Sequence, residues 1–130
     1  MSRFARFSRS LVAAGTLAVC AIFPVAALAQ ADQPLVIIRF NQPRVYFDTQ
    51  LYSAIEKAIA IKPEVTFEVV SYAPVTSDSD KNSKWQEVAS HNTRAVVKAM
   101  TGMGVPMERI HVVGQSSDGI RYDETHVFVN

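Results

Sequence analysis

The chain has 130 residues, 13 of them basic, 12 acidic and one a cysteine, with 48% hydrophobic residues. Three of the basic residues, Arg3, Arg6 and Arg9, precede an apolar N-terminal run, so the remainder carries ten basic against twelve acidic residues and a formal charge near −2. That balance, with no Lys/Arg-rich face interleaved with aromatics, excludes the electrostatic footprint of a polyanion binder, so no nucleic-acid partner is expected.

Residues 1–29 combine the basic start with an apolar run from Leu11 to Leu28, a break at Pro24, and small residues at Ala27 and Ala29. This is the layout of a secretory signal with an A-x-A site, and it predicts export to the periplasm of a bacterial envelope with cleavage after Ala29. An uncleaved anchor is the rival, but Pro24 interrupts a spanning helix. The stretch Leu17-Ala18-Val19-Cys20 resembles faintly the site at which bacterial lipoproteins are acylated. Val19 is bulky for that role, and Ala21 to Ala29 is apolar where a lipoprotein has a polar tether. Membrane association is therefore expected only if the segment stays uncleaved or is lipidated. With Cys20 read as a small hydrophobe of the signal core, the mature chain, residues 30–130, holds no cysteine and no disulfide. Its length suits one domain with a single core.

Leu35 to Phe40 is a short apolar, β-branched run and reads as a buried strand closed by Asn41-Gln42-Pro43. Leu51, Ala54, Ile55, Ala58 and Ile61 recur at three- and four-residue steps, which predicts an amphipathic helix capped by Asp48 or Thr49 and ended by Pro63. Val65 to Ser71 alternates in polarity and predicts a second strand, closed at Ala73-Pro74. Val75 to Ser83 is polar and aperiodic; it reads as a surface loop ending in a helix cap at Asn82 or Ser83. Trp85, Val88, Ala89, Asn92, Ala95, Val96, Ala99, Met100 and Met103 then form one stripe of a long helix, stopped by Gly102 or Gly104 and Pro106. The tryptophan and methionines in it are expected to pack in the core. Ile110 to Val113 and Glu124 to Val129 read as two more strands, with a loop or hairpin at Gln115 to Gly119. The predicted fold is α/β, an α+β sandwich of order βαβαββ, with two helices on one face of a single mixed sheet.

The most distinctive stretch is Thr93-Arg94-Ala95-Val96-Val97-Lys98-Ala99-Met100, followed at the helix exit by Gly104-Val105-Pro106-Met107-Glu108-Arg109-Ile110. It resembles the OmpA-like C-terminal domain, the peptidoglycan-associated family, in which an Arg-Ala helix leads through a Gly-Val-Pro-x-x-Arg-Ile turn into a strand. The motif-level likeness spans Arg94 to Gly114, and the order of elements agrees from Val36 onward. The resemblance implies a non-catalytic envelope module. In that family the helix arginine and an aspartate after the second strand grip diaminopimelate in the cell-wall peptide, a task suited to a bidentate guanidinium and an accepting carboxylate. Arg94 matches the arginine. The aspartate does not match: where Gly-x-Thr-Asp would lie, the chain reads Ser71-Tyr72-Ala73-Pro74. The Asn and Leu-Ser that precede the family's Arg-Ala pair are replaced by Glu87 and Ser90-His91, and the basic pair opening the last strand by Tyr122-Asp123-Glu124.

Two functions follow from the resemblance and its departures. One is a partner-binding or accessory module that lacks the standard peptidoglycan clamp, which an exposed apolar or acidic patch near Tyr122 to Glu124 would support. The other is a peptidoglycan-binding module whose clamp is rebuilt from Arg94 with Asp78 or Asp80. Asp78-x-Asp80-x-Asn82 also imitates the start of a calcium loop, but the sixth position is Ser83 and the twelfth Ala89, so the cage does not close. His91, His111 and His126 have no metal-ligand spacing. No nucleophile elbow, phosphate loop or mature cysteine is present, so neither catalysis nor a cofactor is expected.

Overall fold

The computed structural model describes residues 33–130; the signal-type segment, Cys20 and the cleavage site at Ala29 lie outside the described residues. Four strands and two long helices follow in the order β1 (Val36–Arg39), α1 (Asp48–Ile61), β2 (Phe67–Pro74), α2 (Ser79–Gly102), β3 (Ile110–Ser117) and β4 (Glu124–Val129), with a 3-10 turn at Met107–Arg109. The strands form one sheet in the order β1-β4-β2-β3. β4 runs antiparallel to both neighbours, β1 and β2, while β2 and β3 are parallel. The expected α/β sandwich with a mixed sheet is therefore present.

β4 is threaded between β1 and β2, so the crossover through α1 spans a strand that the chain supplies last. Alternation decides which residues meet the helices. Phe67 and Val69 on β2, Val127 and Val129 on β4, and Val36 and Ile38 on β1 are all buried, and they meet Leu51, Ile55 and Ala58 of α1 and Val96 and Met100 of α2. A fully enclosed side chain of this size contributes about 1.5–3 kcal/mol over its exposed state, so this single layer is the principal source of stability.

The element ends differ from the sequence expectation for identifiable reasons. α1 begins at Asp48 with Phe47 at its N-cap and no side-chain cap; Asp48 lies in the first turn, where its charge faces the positive end of the helix. α2 begins at Ser79 rather than at Asn82 or Ser83. Asp78 is its cap, accepting from the backbone N–H groups of Asp80 and Lys81 at 3.0 and 3.3 Å. Asn82, already helical, turns its amide back onto the loop, accepting from Thr76 N and Oγ1 and donating to Thr76 O. The polar run is thus a cap, a first helical turn and a short tether.

α2 ends in a Schellman arrangement. Gly104 N–H donates to Thr101 O and Val105 N–H to Met100 O, with Gly104 at φ +98°, a conformation that penalises any side chain. β2 runs to Pro74, past Tyr72 where its pairing with β4 stops, so the missing proline N–H breaks no bond on that side. β3 is twice as long as expected and does not form a hairpin with β4, because β2 lies between them. Among the described residues no helix is long and apolar enough to cross a membrane.

Candidate functional site

α2 packs chiefly across β2 and β4, where Ala89, Thr93, Val96 and Met100 are its buried residues. The expected stripe is therefore rotated slightly: Thr93 takes the buried place of Asn92, and Val88 is 44% exposed. The hydroxyls of Thr93 and Thr125 share a buried hydrogen bond of 2.9 Å, which is what allows a polar side chain into that stripe.

Because α2 leans toward β4, β3 beyond the buried Ile110 is left largely uncovered among the described residues. His111 to Ser116 are exposed throughout, on both faces of the sheet. Between the flank of α2 and the helix-side faces of β2 and β3 there is an open groove of about 800 Å³. Its wall includes Gln86, Ser90, Arg94 and Lys98, each four residues from the last, which places them one above another on the helix. Ser71 and Ala73 of β2 and Val112, Gly114 and Ser116 of β3 form its floor, and Met107 stands near the helix exit.

The electrostatics of the groove are one-sided. Arg94 and Lys98 are its charged residues, and no aspartate or glutamate lines it. Arg94 donates from Nη2 to Ser90 Oγ at 3.3 Å and, like Lys98, has no ion pair among the described residues. Ala73 lies in the floor and Pro74 is buried beside it, where the resemblance would have placed an aspartate.

Asp78 and Asp80 are not brought to Arg94. They stand at the start of the helix that carries it, 16 and 14 residues away, or about 24 and 21 Å at the α-helical rise. Asp78 is already engaged as the cap. The structure therefore does not assemble Arg94 with either carboxylate into a clamp.

The acidic stretch at Tyr122 to Glu124 is also not a surface patch. Tyr122 is exposed, but Asp123 is only 2% exposed and accepts from Asn92 Nδ2 at 2.9 Å. Burial pushes the Asp123 carboxyl above its ordinary value, opposed by the hydrogen bonds from Asn92 and from the Asp123 backbone. Glu124 turns to the other face of the sheet, where Arg39 Nε lies at 3.1 Å and His126 Nε2 at 2.8 Å. His126 also lies against Tyr72, with ring centroids 4.5 Å apart. His111 and His126 are on strands separated by β2, and among the described residues no three metal-ligating side chains cluster.

The sequence names Lys98 within the helix motif and Ser90 as a departure from it, and assigns neither of them, nor Gln86, a place in the site. Their signal was the four-residue spacing from Arg94 along the edge of the apolar stripe.

No family model and no curated relative matches the sequence. Among solved structures the chain is similar to the OmpA-like domain of FopA1 from Francisella tularensis subsp. tularensis SCHU S4, with a TM-score of 0.57 and 15% identity, over 72% of this chain and 70% of that one. At this identity the likeness is one of fold. The chain has a divergent OmpA-like fold.

Proposed function

We propose that the protein is a non-catalytic module of the bacterial cell envelope, exported to the periplasm by cleavage after Ala29, which binds a carboxylate-bearing protein partner through the groove between α2 and β3. The observation that carries this is the charge of the groove: Arg94 and Lys98 stand one helical turn apart with no acid in the lining. Guanidinium and ammonium groups only donate, so the site is matched to carboxylates and offers a substrate ammonium no anionic partner. Diaminopimelate carries both signs, and with Ala73 and Pro74 where an aspartate would stand, only its carboxylates find an oppositely charged partner.

The signal layout of residues 1–29 and the likeness to the OmpA-like domain of FopA1 support the envelope assignment. A binding role is supported by the composition of the groove, whose hydroxyls at Ser71, Ser90, Thr93, Thr101 and Ser116 have no imidazole or carboxylate in the same lining to act as a base.

The alternative, wall binding through Arg94 with Asp78 or Asp80, requires those groups to converge, and the length of α2 between them opposes it. The test is co-sedimentation of the protein with purified peptidoglycan, with Arg94→Ala in parallel. Both proteins are expected in the supernatant. Saturable sedimentation of the wild type that is lost in Arg94→Ala overturns the partner-binding assignment in favour of the wall.

A further inference from the structure

The two edges of the sheet are treated differently. β1 is four residues long, ends at Arg39 and is followed closely by Pro43, the usual guards against unwanted pairing. β3, on the other side, is eight residues long, and from Val112 to Ser117 it contains neither a proline nor a charged side chain. Val112 and Val113 are 54% and 38% exposed on its two faces. A long edge without charge or proline is a template for another strand, and among the described residues no device blunts it.

That open edge also borders the cationic groove. In a strand laid along β3, every second side chain turns to the helix side of the sheet. That side of β3 borders the groove whose wall carries Arg94 and Lys98, with Val112 and Gly114 in its floor. We propose that an extended segment of a partner protein adds as a fifth strand to the free edge of β3 and places a carboxylate against Arg94 and Lys98. Main-chain bonds to β3 give the affinity and the charged pocket selects the sequence. A second copy of this chain is a poorer occupant, because pairing β3 with itself brings two Arg94–Lys98 clusters to one interface with no acid in either groove.

This deepens the proposed function and rests on it. The probe is a fluorescent peptide as long as β3, alternating glutamate and valine, titrated by anisotropy against the protein. Two further versions carry N-methyl groups on alternate residues, one set in each phase, because a strand bonds its neighbour through every second residue. The expected results are saturable binding, loss of binding for one N-methyl phase and retention for the other. A roughly five- to tenfold weakening is expected when the exposed Arg94 and Lys98 are both changed to alanine. Equal binding of both N-methylated peptides, with the Arg94 and Lys98 dependence intact, overturns strand addition while leaving the groove as a carboxylate site. Absence of any binding that depends on Arg94 and Lys98 overturns both.

Discussion

Thr93 on α2 and Thr125 on β4 share a hydrogen bond of 2.9 Å between hydroxyls that are both shut off from solvent. It fixes the height of α2 over the sheet at the level of Ser71, which pairs with Thr125, and Arg94 follows directly after it on the groove side. Replacing one threonine by valine strands the other hydroxyl in the core, at a cost of about 1–3 kcal/mol, whereas replacing both leaves nothing unsatisfied. Thr93→Val and Thr125→Val are each expected to lower stability by that amount in urea unfolding. The double variant is expected to be less destabilised than the sum of the two, and strict additivity would show that the bond contributes nothing.

This pair also marks how far the sequence could be read. The apolar spacing of Leu51, Ile55 and Ala58 announces α1, because a helix that covers a sheet must bury every third or fourth residue. Strand β4 is legible for the same kind of reason: Thr125, Val127 and Val129 alternate with Glu124, His126 and Phe128. Thr93 escapes such a pattern, since its burial depends on a partner 32 residues away. The groove is hidden more deeply. It exists because β4 inserts between β1 and β2 and leaves β3 outermost, and strand order is a property of pairing that no local periodicity encodes. Arg94 was recognisable from its motif, while the absence of acids around it became visible only when β2 and β3 were placed beside α2.

Asp123 gives stability a pH dependence of definite sign. Burial raises its carboxyl pKa in the folded protein above the unfolded value, so the folded state holds this proton more tightly. The penalty for ionising the buried group is in place above the folded pKa. It is relieved as the pH falls from there toward the ordinary aspartate range. Asp123→Asn keeps a carbonyl to accept from Asn92 and removes the ionisation. The difference in unfolding free energy between the variant and the wild type is expected to move in favour of the variant as pH rises through this window. A difference that stays constant with pH, or moves the other way, would show that burial does not control this carboxyl.

Asp78 separates a structural duty from a binding one. Its carboxylate accepts from Asp80 N–H and Lys81 N–H at the start of α2, and Asn82 holds the preceding loop through three hydrogen bonds to Thr76. Asp78→Ala removes the cap and is expected to cost about 1 kcal/mol in urea or thermal unfolding. Asp78→Ser, which retains a capping oxygen without the charge, is expected to recover most of that loss. Because about 24 Å of helix lies between Asp78 and Arg94, neither variant is expected to change binding of the alternating glutamate–valine peptide or to alter the supernatant fraction with peptidoglycan. Binding that falls in Asp78→Ala and is not restored in Asp78→Ser would return this carboxylate to the ligand site. Stability that falls and recovers while binding stays level assigns it to the helix alone.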